Sequence, residues 1–449
     1  MDADTRYVTS GGSSIAYQVF GEGPRDIVMP LPFLSHLEYN WEWPPIARML
    51  RRIGSLGRVA MFDQRGFGMS DSVPRPATLE ERMDDIRAII DAAALTRPVV
   101  VGLTDATPPV LLFAASHADE LRALVSYSAH ARRTRGPDYP WGPTVEQGEA
   151  ALQALTSTWG TGVWSAMLAP ELAGDPRFRQ WTARLERLTC GPGTFAAQVR
   201  ATWQIDVRDV LPHVRVPALV THHAGDPFYP VDGGRFVADR IPDARFVVLP
   251  GDAHSVFVDG EALVDAIEEF LVGRRQAADP NRVFATVLFT DIVDSTARLA
   301  ELGDARWHEL IERHNKVVRQ AIERFRGREI ETTGDGFLMI FDGPLRAINA
   351  AREMIDGARE LGLQIRAGVH AGECDLIGAG VRGLAVHVCA RVVALAGPDE
   401  ILMTASVRDL ITGPEVELID RGSHALKGVP GGWELFALPG AVSAHPSGG

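Results

Sequence analysis

Short apolar runs alternate with helix-like stretches over residues 1 to about 130. Asp26-Ile-Val-Met-Pro-Leu31, Gly57-Arg-Val-Ala-Met-Phe-Asp63 and Arg97-Pro-Val-Val-Val-Gly102 have the length and uniform hydrophobicity of buried strands, with a helical stretch over Leu79–Ala94 between the last two. Strands that alternate with helices predict a parallel sheet joined by crossover connections. From about 131 to 213 the pattern turns mainly helical, with Trp141, Trp159 and Trp164 and several Gly-Pro breaks. Strand patterns resume at Val216-Pro-Ala-Leu-Val-Thr221 and Ala244-Arg-Phe-Val-Val-Leu249, and a helix over Gly260–Leu271 closes this half. The middle section therefore reads as a helical cap inserted over a sheet.

Residues 273–282 are polar, contain Gly and Pro and lack periodicity, as a linker does. A second domain is expected over 283–438. Within it Trp307, Leu310, Ile311, His314, Val318, Ala321, Ile322 and Phe325 recur at three- and four-residue spacing, which predicts an amphipathic helix. The tail 439–449 is rich in Pro, Gly and Ser and is expected to be disordered.

At 449 residues the chain exceeds what one core usually supports, in keeping with this division at 272. A formal charge of −13 argues against a general nucleic-acid binder, which needs basic surface to displace counterions. The three cysteines, Cys190, Cys374 and Cys389, are far apart, so neither a disulfide scaffold nor a thiolate zinc site is expected. The N-terminus lacks the basic and apolar regions of a signal peptide, and no apolar run approaches a membrane span of roughly 18 residues. A cytoplasmic protein without membrane partners is the expectation.

In the first half, Phe62-Asp-Gln-Arg-Gly-Phe-Gly-Met-Ser-Asp71 resembles the strand-and-turn signature of the α/β-hydrolase family. Asp226, in Gly225-Asp-Pro-Phe-Tyr-Pro230, and His254, in Pro250-Gly-Asp-Ala-His-Ser255, fall where that family places its triad acid and base. The resemblance spans roughly residues 6 to 272 and implies an α/β-hydrolase fold with a helical cap. Its nucleophile elbow should read Gly-x-Ser-x-Gly, but the segment here is Gly102-Leu-Thr-Asp-Ala106. Thr104 replaces the serine with a β-branched and more crowded hydroxyl, and Asp105 would oppose an oxyanion forming beside it. Three readings stay open: a retained scaffold, a slow Thr104–His254–Asp226 esterase, or a pocket that binds a small apolar ligand and reports its occupancy.

In the second half, Val287-Leu-Phe-Thr-Asp-Ile-Val-Asp-Ser-Thr296 and Glu331-Thr-Thr-Gly-Asp-Gly-Phe337 each end an apolar strand on an aspartate. Taken singly, Asp291 reads as a strand-end cap, and Asp335 as a residue of a hairpin turn. Together with Gly383-Leu-Ala-Val-His-Val-Cys-Ala-Arg391 and Leu426-Lys-Gly-Val-Pro430, in this order, they resemble the class III adenylate/guanylate cyclase domain throughout 283–438. That resemblance implies an α+β, ferredoxin-like fold and a homodimer with sites at the interface. It also implies that Asp291, Asp335 and the Ile292 carbonyl bind two Mg²⁺ or Mn²⁺ ions per site. Such pairs lie about 3.5–4 Å apart, share carboxylates, and activate the ribose 3′-hydroxyl while neutralising the departing pyrophosphate. Hard oxygen ligands suit these ions.

By the same resemblance Arg391 steadies the pentavalent phosphate. His387 occupies a position where many relatives carry asparagine, one helical turn before Arg391. A structural role for His387 is equally open, as is a solvated loop role for Lys427. Arg366, in Ile365-Arg-Ala-Gly-Val-His370, and Lys427 match positions that approach the outer phosphates. Asp294, Ser295 and Thr296 are expected to open the amphipathic helix, whose N-terminal N–H groups could meet phosphate or simply be capped. For the base, adenylate-selective members commonly carry lysine at the position of Glu331 and aspartate at that of Gly380. A carboxylate at 331 suits the guanine donors instead, yet relatives with unusual selecting residues generally make cyclic AMP. ATP is the expected substrate, with GTP as the alternative.

Overall fold

This computed structural model describes residues 4–254, 256, 260–272, 282–333, 335–377, 380–411 and 416–438. The expected linker at 273–282, apart from the backbone of Arg282, and the expected tail at 439–449 lie outside the described residues. The chain divides into two compact units, Met1–Pro280 and Asn281–Gly449. Among the described residues no helix is long and apolar enough to cross a membrane.

The first unit is built on an eight-stranded sheet in the order β1-β2-β4-β3-β5-β6-β7-β8. Its strands are β1 (Thr5–Ser10), β2 (Ser13–Phe20), β3 (Asp26–Pro30), β4 (Arg58–Phe62), β5 (Val99–Leu103), β6 (Ala123–Tyr127), β7 (Ala218–His223) and β8 (Arg245–Leu249). The strands from β3 onward pair in parallel, and the expected parallel core is present. The hairpin of β1 and β2, which the apolar pattern did not single out, adds antiparallel strands beside β4.

Helices that flank this sheet include α1 (Pro44–Leu56), α2 (Leu79–Ala92), α3 (Thr107–Ser116) and, after the cap, a helix at Val231–Arg240. Helix α2 starts at a capping box, with Thr78 accepting from the Glu81 N–H and Glu81 accepting from the Thr78 N–H. Ile27, Met29, Val59, Met61, Val99 and Val101 share one core cluster with Ile46, Leu50 and Ile53 of α1 and with the C-terminal helix at Glu261–Val272. Side chains alternate across a strand, so Val28, Ala60 and Val100 point to the other face. The segment between β6 and β7 contains the cap: α4 (Val145–Ser157), α5 (Ser165–Leu168), α6 (Pro176–Thr189) and α7 (Pro192–Thr202). The helix at Val231–Arg240 is then α8 and that at Glu261–Val272 is α9.

The second unit has its own eight-stranded sheet in the order β10-β11-β9-β12-β14-β16-β15, with β13 paired to β12. The strands are β9 (Arg282–Ile292), β10 (Arg328–Thr333), β11 (Gly336–Phe341), β12 (Ile365–Ile377), β13 (Gly380–Arg382), β14 (Ile401–Thr404), β15 (Ile419–Ala425) and β16 (Gly432–Ala437). Its main helices are α10 (Ser295–Leu302), α11 (Asp304–Arg324), α12 (Pro344–Glu360) and α13 (Leu384–Leu395). Helix α13 buries Ala385 and Cys389 in one core cluster with Val283, Ala285 and Val287 of β9.

The expected amphipathic helix is α11, which buries His314, Val318, Ala321 and Ile322. Asp294, Ser295 and Thr296 do not open it. They start the separate eight-residue α10, and Gly303, at φ 74°, breaks the chain between the two helices.

Candidate active sites

The end of β9 carries Asp291, and the chain there lies between β11 and β12. On the β11 side the ladder pairs Phe337 with Thr290, and continuing that register sets Gly336 across from Asp291. Asp335 precedes Gly336 in the turn between β10 and β11. The hairpin thus brings both aspartates to the same end of adjacent strands. On the β12 side Arg366 is the direct cross-strand partner of Asp291. Its Nε and one terminal nitrogen donate to Asp291 Oδ2 at 3.0 and 2.5 Å. Arg366 was expected near phosphates, and the structure places it on the carboxylate of the candidate metal ligand.

Other expected residues are distributed around this strand end. Asp294 adopts the left-handed conformation at φ 54° and makes no side-chain cap to α10, so the plain capping role is not realised. Glu331 is exposed on β10, next to a register shift between Glu329 and Glu331. Gly380 begins β13 opposite Ile377. On α13, His387 and Arg391 are both exposed and one turn apart. In the sequence Arg391 has no evident partner, but its Nε donates to the Lys427 carbonyl at 3.1 Å. That bond ties Arg391 to the Lys427 loop, while the Lys427 residue itself is exposed.

One residue near the carboxylates carries more than the helical pattern disclosed. His314 of α11 is buried at 1 % exposure, with its ring 6.2 Å from that of Phe337. Burial pushes its pKa down to about 4, against the opposing pull of the Asp335 charge. The stripe of apolar positions identified it as core, but no sequence signal linked it to Asp335.

Brought together, the carboxylates of Asp291 and Asp335 and the Ile292 carbonyl would be hard oxygen donors of the kind magnesium or manganese takes. Two carboxylates and a carbonyl are too few for an all-protein cage, and these ions keep several positions for water and substrate phosphate. Among the described residues there is no group of three or more His, Cys, Asp or Glu side chains that could enclose a metal.

In the first unit, Thr104 stands between β5 and α3 at φ 46°. A β-branched residue in this region is a backbone outlier that costs on the order of 1–3 kcal/mol. The strained elbow conformation is thus present here with threonine in the place of serine. Gly102 eases the close approach of α3: a Cβ there would press on Val110 Cβ at 3.1 Å and Thr107 Cα at 3.2 Å.

Asp226 faces His254, whose Nδ1 lies 3.0 Å from both carboxylate oxygens. The carboxylate also accepts from Ser128 Oγ at 2.6 Å and from the N–H groups of Phe228 and Tyr229 at 2.9 and 3.1 Å. Burial would raise its pKa, but His254 and these donors outweigh burial and hold it at about 2. Ser128, itself at φ 48°, is a member of the site that no sequence motif marked.

Asp105 does not stand as a free charge beside the elbow. Arg133 donates to it at 2.7 Å and Tyr229 Oη at 3.3 Å. Burial alone would raise its pKa, yet Arg133, His130 and His254 together leave it lowered. Thr104, Tyr127, Leu168 and His254 line a narrow cavity of about 70 Å³. Asp105, Leu168 and His254 also line a wider one of about 400 Å³ under the cap.

Comparison with known proteins matches each unit to a family model. Residues 280–440 match the family model of the adenylate and guanylate cyclase catalytic domain. Residues 40–261 match that of the α/β hydrolase fold. The chain is an α/β-hydrolase domain followed by a class III cyclase catalytic domain.

An uncharacterized protein of Mycobacterium tuberculosis is 31% identical over 142 residues, which is 31% of this chain and 37% of that one. The chain therefore spans little over a third of the mycobacterial relatives it matches. A receptor-type adenylate cyclase of Trypanosoma brucei brucei is 25% identical over 216 residues, 36% of this chain and 17% of that protein. An esterase from Exiguobacterium antarcticum, 20% identical with a TM-score of 0.52, covers 60% of this chain and 100% of its own and shares the hydrolase fold.

Proposed function

We propose that the chain converts ATP to 3′,5′-cyclic AMP and pyrophosphate at a homodimer interface in the cytoplasm, and that its hydrolase-like domain is a ligand-sensing regulatory module. The observation that carries this reading is the register around β9, which sets Asp291 beside the Asp335 turn within a cyclase domain.

In this reading Asp291, Asp335 and the Ile292 carbonyl hold two Mg²⁺ or Mn²⁺ ions. When bound, these ions supply Lewis-acid stabilisation of the attacking and departing oxygens. Arg366, released from Asp291, and Lys427 steady the outer phosphates. Asp294, Ser295 and Thr296 present the N-terminal turn of α10 to the same charge. Arg391, fixed by the Lys427 carbonyl, and His387 meet the reacting phosphate from the second protomer. Glu331 and Gly380 border the base.

The outward stripe of α13 supports the dimer. Leu384 and Leu395 are 58% and 46% exposed, and with His387 and Arg391 they recur at spacings of three and four. Large apolar side chains on the same face as the phosphate-directed pair favour cover by a second copy. The experiment is synthesis of cyclic AMP and cyclic GMP by the purified full chain with Mn²⁺.

Glu331 favours a second reading for the base. Guanine presents N–H donors to a carboxylate, whereas the N1 lone pair of adenine repels it, a difference of about 1–3 kcal/mol if the contact is buried. The intact Asp226–His254 pair and the strained elbow likewise favour residual esterase activity at Thr104, which ester hydrolysis by the Thr104→Ala chain would test.

A further inference from the structure

Glu186 lies on α6 of the cap, far in sequence from the hydrolase motifs, and is fully buried at 0 % exposure. Its Oε2 accepts the backbone N–H groups of Gly160 and Gly162 at 2.6 and 3.2 Å. Its Oε1 is equally buried and has no hydrogen-bond partner among the described residues. Burial raises the carboxyl pKa against the pull of the Gly162, Gly160 and Thr161 N–H groups and of Arg187. An acceptor left unpaired in the interior carries a desolvation cost that a bound donor would relieve.

This side chain lines the cavity of about 400 Å³, within the usual range for small-molecule pockets of roughly 300–1,000 Å³. Trp159, Trp164, Trp203 and Phe195 share the lining. Two of the indole N–H groups are already committed, Trp159 to the Cys190 carbonyl at 3.1 Å and Trp164 to Thr158 Oγ at 3.2 Å. Those two rings therefore offer apolar surface rather than donors. Arg133, also in the lining, is paired with Asp105, and Arg135 is exposed to solvent and donates to the Gly142 carbonyl. An aromatic chamber with one unsatisfied buried acceptor remains.

We infer that the cap chamber is a binding site for a small aromatic molecule bearing an N–H or O–H donor, which bonds Glu186 Oε1. This gives the small apolar ligand, one of three readings the sequence left open, a required polar group. It deepens the ligand-sensing reading above, but binding itself stands apart from any effect on the cyclase domain.

Indole and benzofuran test it, because they share shape and size and differ in a ring N–H against a ring oxygen. Isothermal titration of the full chain should give indole an affinity about tenfold or more above that of benzofuran. In Glu186→Gln an amide oxygen can still serve Gly160 and Gly162, while the NH₂ group faces the cavity. The preference should then vanish or reverse. Thermal melting would establish that the variant is folded, and the wild-type ratio decides the matter if it is not. No binding of either probe, equal affinities in the wild type, or an unchanged ratio in a folded Glu186→Gln chain would overturn the inference. Cyclic nucleotide synthesis measured with and without indole reads the regulatory role separately, so loss of that effect alone leaves the site standing.

Discussion

Replacing Arg366 by methionine takes the guanidinium off Asp291 while keeping a side chain of similar reach on β12. In the structure both nitrogens donate to the same oxygen, Oδ2, at 3.0 and 2.5 Å, and the two side chains are 31% and 30% exposed. Solvent screens a pair this accessible, so it contributes about 1 kcal/mol to the fold rather than the several expected of a buried pair. A divalent cation on Asp291 has to compete with that guanidinium for one carboxylate. Losing the competition should tighten metal binding by the same about 1 kcal/mol, roughly fivefold. Binding of Mn²⁺ to the nucleotide-free chain, followed by the free-ion paramagnetic resonance signal, measures it without recourse to turnover. Arg366→Met should lower the Mn²⁺ dissociation constant about fivefold and weaken triphosphate binding, since the same arginine is then missing from the phosphates. Unchanged or weaker Mn²⁺ binding in a folded variant would refute the idea that Asp291 is the shared oxygen.

The remaining predictions concern base choice, dimerisation, the elbow and pH. Glu331→Lys should move the ratio of cyclic AMP to cyclic GMP by about 10- to 100-fold toward cyclic AMP, and an unchanged ratio would mean that residue 331 does not read the base. Mixing Asp291→Ala and Arg391→Ala chains should restore one intact site per heterodimer; a verified heterodimer without recovered synthesis would rule out shared sites. Thr104→Ser should raise hydrolysis of short-chain esters at least about tenfold by restoring an unbranched nucleophile opposite His254, whereas an unaffected rate in Thr104→Ala would place any esterase activity elsewhere. His370 is 6 % exposed, within 2.9 Å of the Thr404 hydroxyl, and burial pushes its pKa down to about 4. Between pH 6.5 and 4 the unfolded chain takes up a proton that the folded one resists, so stability should fall as pH falls through that window, by up to roughly 3 kcal/mol. Urea midpoints at pH 7.5 and 5 would show it, and a His370→Gln chain with the same pH slope as the wild type would contradict it.

Strand-and-helix alternation located the parallel core, because buried strands such as Val99–Leu103 are apolar on both faces and short. The hairpin of β1 and β2 escaped because Thr5–Ser10 is largely polar and half exposed, with its pairing set by contacts rather than by hydrophobic period. In the cyclase domain the two aspartates were legible from local motifs, whereas the Arg366–Asp291 pair needs the register of strands 75 residues apart. The division of α10 from α11 turns on one left-handed glycine, which a stripe of apolar residues beginning at Trp307 does not register. Ser128 and Glu186 were invisible for the same reason. Each owes its role to a long-range neighbour, Asp226 98 residues away for Ser128 and a fold-enclosed cavity for Glu186.

The central claim is that Asp291 and Asp335 jointly hold the cations on which nucleotide cyclisation depends. The most direct measurement is cyclic nucleotide synthesis by the full chain with Mn²⁺ and either triphosphate, set beside folded Asp291→Asn and Asp335→Asn chains. Synthesis by the wild type, with each single substitution reducing it by at least about a hundredfold and weakening Mn²⁺ binding, is the predicted result. Synthesis that persists in either variant, or a folded wild-type dimer that makes no cyclic nucleotide, would contradict it.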